Sequence, residues 1–291
     1  MDECRSGFLS DVGPLGFHDA MNRVRFIRNF VAIAAAAVAA SLAIGSGALA
    51  APPWGGIELR YAGGLLDPAR VADSSGNGLH GIVSTGGGGT VTSVRRSSGD
   101  AFLRFPGGSC TAAPPCPQAI ITPAASTTLV PGDQGTARFA YGADIRLAEP
   151  PSPLAGMNVF QFGAAADGIS QWKLQVDGGR PSCRWSDGVT ALLLPAGRDG
   201  FALTIGRWYR VSCWRLSRSV FQIRVDDPAT GRRILPPGVA IAPMDGIVPT
   251  GQAVIGGKRI RDTQSDVDTD QFHGDLDNIV FGRLVPPSAR W

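Results

Sequence analysis

Residues 137–147 read ARFAYGADIRL, and their alternation decides the fold class. Phe139, Tyr141, Ala143, Ile145 and Leu147 fall on one face at period two, with Arg138, Asp144 and Arg146 on the other. That period belongs to an extended strand with one face buried and one wet, as in an antiparallel sheet. The same pattern returns in QWKLQVD (171–177), where Trp172, Leu174 and Val176 share a face, and in VFQIRVD (220–226) through Phe221, Ile223 and Val225. Further strand segments are IELRYAG (57–63), AFLRF (101–105), NVFQFG (158–163), WYRVSCWRL (208–216), AVIGG (253–257) and DLDNIVFG (275–282). The stretches SSGNG (74–78), TGGGG (85–89), DDPATG (226–231) and PPG (236–238) between them are turn-forming by composition. No long segment carries a 3.6-residue period, so the expected fold is all-β: two antiparallel sheets in a sandwich or jelly roll.

Composition agrees. Of the 27 basic residues 25 are arginine, and of the 24 acidic residues 21 are aspartate, so the helix formers Lys and Glu are almost absent. Gly 39 and Pro 22 occur without a triplet period, which excludes collagen, and 18% charged residues are too few for a disordered chain. The net charge of +3 is spread along the chain, which argues against a nucleic-acid partner.

Residues 21–50 have a basic start, an uncharged Ala-rich stretch and small residues at Ala48 and Ala50, the three-part pattern of a secretory signal. Cleavage before Ala51 is expected, with residues 1–20 an over-extended start ahead of Met21 and residues 51–291 a single secreted domain. A single membrane anchor is the competing reading, but the Ala-rich run has modest hydrophobicity and a good cleavage site, so no stable span is expected after processing. The domain keeps Cys110, Cys116, Cys183 and Cys213, which suggests two disulfides in an oxidising compartment. The expected pairs are Cys110–Cys116 and Cys183–Cys213, the second on adjacent strands. Zinc has little support, since only His80 and His273 remain and no Cys-x-x-Cys occurs.

The opening LRYAGG–LLD–ARVADSSGNGLHG (59–81) resembles the first strand and loop of laminin-G-like domains in the concanavalin A-like lectin/glucanase superfamily. DQFHGDLDNIVFG (270–282) is similar to the closing strand of that group, and the segments NVFQFG, QWKLQVDGGRPSCRWSDG and GRWYRVSCWRLSRSVFQIRVDD to its central strands. Secreted bacterial members often carry Trp-His where this chain has Trp208-Tyr209. The resemblance spans residues 57–283 and implies a curved concanavalin A-like sandwich. It also implies one calcium ion between the first loop and last strand, with Asp73, Asn77 and Gly78 on one side and Asp277 on the other.

Many members of that superfamily are glycosidases, which need two carboxyl groups about 5–5.5 Å apart for retaining chemistry. The domain holds only Glu58 and Glu149 and no Glu-x-Asp-x-Glu segment, so an enzyme is not expected. A Ser-His-Asp hydrolase lacks its Gly-x-Ser-x-Gly turn. Asp266, Asp268 and Asp270 begin like an EF-hand loop, but Gln271 stands where that loop needs Gly. Trp208, Arg210, Ser212 and Trp214 share one strand face, opposite Tyr209, Val211 and Cys213. This makes Trp208, Trp214 and Arg210 the candidate ligand-binding residues, and Trp172 a core residue. The expected function is a monomeric, non-catalytic secreted module binding glycan or another cell-surface or matrix ligand. The alternatives are a polysaccharide hydrolase with a displaced carboxylate pair, and a purely structural extracellular domain.

Overall fold

In the computed structural model the alternating segments become strands where the period-two pattern places them. The structure describes residues 54–106, 116–132, 135–150, 156–164, 166–261 and 270–284, all within one compact unit, Pro52–Trp291. The signal segment, Cys110, Asp266 and Asp268 lie outside the described residues.

One sheet contains β1 (Trp54–Tyr61), β5 (Thr92–Arg95), β6 (Ala101–Phe105), β8 (Phe139–Leu147), β13 (Tyr209–Arg215), β14 (Val220–Asp226), β15 (Gly238–Ile241) and β17 (Gly274–Leu284). Its order is β15-β14-β13-β8-β17-β6-β5, with β1 also paired to β17. The second sheet contains β2 (Leu65–Asp67), β3 (Arg70–Val71), β4 (Gly81–Gly86), β7 (Gln118–Pro123), β9 (Met157–Phe162), β10 (Ser170–Asp177), β11 (Arg180–Asp187), β12 (Ala191–Pro195) and β16 (Ala253–Ile255). It runs β12-β11-β10-β9-β16-β7-β4-β3-β2. Every strand pair is antiparallel. The only helix among the described residues is one 3-10 turn, Ser126–Leu129. No described helix is long and apolar enough to cross a membrane.

The inward faces of both sheets meet in one core. Trp172 of β10 lies 4.7 Å from Tyr141 of β8 and stacks on Phe281 of β17 at 5.2 Å, so three rings join the two sheets. Trp185 packs on Phe221 at 4.9 Å. The Tyr141 hydroxyl donates to the Arg184 carbonyl at 2.9 Å, which settles the one polar atom this ring brings inside. Each such ring buries roughly 150–250 Å², about 4–6 kcal/mol by area.

Cys183 and Cys213 are bonded, with Cα atoms 5.8 Å apart. The expectation of adjacent strands was wrong. β11 and β13 belong to different sheets, and both sulfurs point into the core, so the bond clamps sheet to sheet. Cys116 is also disulfide-bonded.

β17 carries the feature that shapes the outer surface of the first sheet. Its register with β8 slips between Asp277 and Val280, and Asn278 adopts φ 44°. Such a bulge puts two successive residues on the same side of the strand. Asparagine tolerates the left-handed conformation because its short amide bonds locally. Asp277 and Asn278 therefore reach the same pocket, while Leu276 and Ile279 stay in the core.

Candidate ligand-binding pocket

A cavity of about 270 Å³ opens on the outer side of the first sheet, lined by Arg96, Asp100, Asp144, Trp208, Arg210, Pro228, Ala229, Asp277 and Asn278. β8, β13 and β17 supply its floor. Asp144 and Asp277 are direct Cα partners across the β8–β17 pair, and Arg210 is the partner of Asp144 on β13. The same parity that sends Tyr141 and Ile145 inward sends Asp144 outward, as the sequence pattern required. Yet Asp144 is only 3% exposed and Asp277 only 4%. The face is not simply wet: arginines close over its carboxylates.

Each acid has its own cover. Arg210 forks onto Asp144, Nε to Oδ1 at 2.7 Å and Nη2 to Oδ2 at 2.8 Å, and the Asn278 amide donates to the same Oδ2 at 2.9 Å. Asn278 Oδ1 in turn accepts from Arg60 at 2.6 Å. Arg96 donates to Asp277 and to Asp100, both at 2.7 Å. Beside the pocket, Arg104 and Arg146 share Asp275, at 2.8 and 2.7 Å. Burial pushes the Asp277 carboxyl above its usual range; Arg96 pulls it back and the neighbouring Asp144 charge adds to the rise. Hydrogen bonding to Asp144 holds Arg210 more firmly protonated.

Trp208 forms one wall. Its half-buried ring meets Phe102 edge-on at 5.4 Å, with the Arg96 guanidinium 4.7 Å and the Arg146 guanidinium 5.1 Å from its centroid. Of the three residues expected to bind ligand, the fold brings Trp208 and Arg210 to this pocket. Trp214 is on the same strand face but is 4% exposed, packed with Ala140, Leu284 and Leu216 under the Arg224 guanidinium. It belongs to the packing and offers no platform. Sequence reasoning missed Arg96, Asp100, Asp144 and Asn278 as site residues. Asn278 follows Asp277 in a noticed Asp-Asn pair, whereas Arg96 arrives from a distant loop that no local signal announces.

The positions expected to hold calcium are engaged by partners within the protein. The Asp73 carboxylate already accepts from the Arg60, Ser75 and Leu79 backbone N–H groups and from the Ser75 hydroxyl. Asn77 donates its amide to the carbonyls of Ile57 and Glu58. Gly78 takes φ +72° with open space around it, as a turn residue does. At Asp277, Arg96 is already the cation. Among the described residues no group of three or more His, Cys, Asp or Glu is placed to hold a metal ion.

No protein-family model and no curated protein matches the chain. Solved structures do. The binding domain of Paraclostridial Mosquitocidal Protein 1 aligns over 79% of this chain and 50% of its own, at 13% identity and TM-score 0.50. A botulinum neurotoxin type C structure, from work on cell entry dependent on interaction with two ganglioside molecules, aligns over 79% and 49%, at 14% identity and TM-score 0.50. The chain thus spans about half the length of these structures. Likeness at this identity is likeness of fold, and the shared fold is the two-sheet sandwich.

Proposed function

We propose that the chain is a secreted, non-catalytic module of the laminin-G-like kind that binds glycan through the pocket beside Trp208. The observation that carries the reading is the pairing of an aromatic wall with fixed, planar hydrogen-bonding groups. An indole ring suits the apolar surface of a sugar, and Arg210, Arg96 and Asn278 supply directional polar contacts around it. Their side chains are held by buried carboxylates, so little rotamer freedom is lost on binding. In botulinum neurotoxin type C a sandwich of the same fold belongs to a protein that interacts with ganglioside. This makes glycan the ligand class to test before a protein partner.

A hydrolase is the second reading, favoured by one observation: Asp144 and Asp277 oppose each other in the pocket, with Asp277 pushed toward its protonated form. Two carboxyl groups, one of them able to act as an acid, are what glycoside hydrolysis needs. Against it, both carboxyls are spent on arginines. One experiment separates the readings: incubate the protein with a polysaccharide panel, scoring retention and newly formed reducing ends separately. Retention without new reducing ends supports the binding module. Reducing ends that disappear in Asp144→Asn would replace it with the hydrolase, and neither signal would remove the glycan site altogether.

A further inference from the structure

Resting on the glycan reading, we propose that this face selects an acidic glycan, one carrying carboxylate or sulfate groups, over a neutral one. Asp144, Asp275 and Asp277 lie at the bottom, 3–4% exposed. Above them the side chains of Arg96, Arg104, Arg146 and Arg210 are 24%, 47%, 26% and 43% exposed. A ligand approaching from solvent meets these guanidiniums together with one carboxylate, Asp100, whose side chain is 56% exposed and already accepts from Arg96 and Ser98.

The donor and acceptor inventory points the same way. Both oxygens of Asp144 and of Asp275 are engaged by arginine, and those of Asp277 by Arg96 and the Asn278 N–H. Arg104 commits only its Nε and Arg210 its Nε and Nη2; their other N–H groups make no hydrogen bond among the described residues. Apart from the remaining lone pairs of Asp100 at the rim, what remains on offer is donors. A sugar hydroxyl both donates and accepts, whereas carboxylate and sulfate only accept, and the guanidinium fork matches their geometry.

Charge balance adds to this. Asp275 is one carboxylate shared by two arginines, which offsets Arg96 being shared by Asp277 and Asp100, and Arg60, held by the neutral Asn278, leaves one positive charge in excess. Arg96, Arg104 and Arg146 all lie within 5.6 Å of the Phe102 centroid, so the charge is concentrated around one ring next to the pocket.

The test is native electrophoresis of the protein through gels containing dextran, dextran sulfate or polygalacturonate, over a range of salt. Retardation by the two acidic polymers, none by dextran, and loss of retardation as salt rises are expected, because exposed charges are screened. Arg104→Gln and Arg210→Gln should each weaken it about tenfold, the loss of one charge-assisted contact. Arg104→Lys should fall between, having lost the fork and kept the charge. Arg218→Gln, off this face and 64% exposed, serves as the control and should change nothing. Melting temperatures identify any variant that has simply lost its fold. Retardation by dextran as strong as by the acidic polymers would overturn the inference and leave the glycan reading standing. Equal retardation by single-stranded DNA would overturn it in favour of an unselective polyanion surface. Retention of no glycan at all would remove both.

Discussion

Asp144 and Asp277 face each other across β8 and β17, and each is closed by a different arginine, Arg210 and Arg96. Two like charges opposite one another in a sheet repel. Here that repulsion is offset by guanidiniums that are themselves fixed in place. Asn278 joins the two halves, taking Arg60 on one side and giving its amide to Asp144 on the other.

Asn278 is accordingly the most informative single position on the face. Asn278→Ala should cost about 1–2 kcal/mol from the left-handed backbone alone. Asn278→Gly should recover that backbone term and still lose the bonds to Asp144 and Arg60. Urea melts of both variants check this; equal loss for Ala and Gly would show that the bulge carries no strain.

The two tryptophans of the candidate face should separate. Trp214→Ala empties a buried site and should destabilise by about 3–5 kcal/mol. Trp208→Ala removes an edge-on contact with Phe102 and its arginine neighbours, and should cost about 1–2 kcal/mol. Denaturant midpoints decide, and the reverse order would contradict the assignment of Trp214 to packing.

Cys183→Ala removes a cross-link between residues 30 apart in sequence. The chain-entropy cost for such a loop is roughly 3.5–4 kcal/mol, a large share of a typical ~5–15 kcal/mol stability. Folded yield and melting temperature should both fall sharply. Because the bond joins opposite sheets, the loss should also loosen β11 against β13, visible as faster amide exchange in both strands. Unchanged exchange there would argue that packing alone holds the sheets.

The Asp73 loop closes on protein donors, so calcium and chelator should give the same melting temperature. Burial pushes the Asp73 carboxyl up, but the bonds from Ser75, Arg60 and Leu79 outweigh it and hold it below its usual range. A lowered carboxyl contributes stability that is present above its unfolded value near ~3.9 and is lost as pH falls through the folded one. Asp73→Asn should therefore flatten the acid limb of the stability curve. A calcium-dependent rise in melting temperature that Asp73→Asn abolishes would restore the metal.

Much of the fold is legible in the chain, because period two is a local signal. β8, β10 and β14 lie within two residues of the segments the alternation marks, and Trp172 is fully buried as expected. The strands without such a signal are short, glycine-rich or apolar throughout. β2, β3 and β15 span two to four residues, and β7 (QAIITP) alternates nothing. The pocket is legible by half. Trp208 immediately precedes β13 and Arg210 lies in it, and both announce themselves by parity. Arg96 reaches Asp277 across 181 positions of sequence, a distance over which no pattern reports. The burial of Asp144 escaped for the same reason, since its covering arginine lies 66 residues away.

Glycan binding is proposed for one place on the molecule, the pocket beside Trp208. The most direct measurement is a glycan microarray probed with the protein, with Trp208→Ala and with Arg210→Gln, each first shown to melt cooperatively. The unaltered protein should label a restricted set of glycans, and both variants should lose that labelling by about tenfold or more, as for removal of a contact worth roughly 1.4 kcal/mol or more. Variants that label the same glycans as strongly as the unaltered protein would contradict the account, since the ligand would then bind elsewhere.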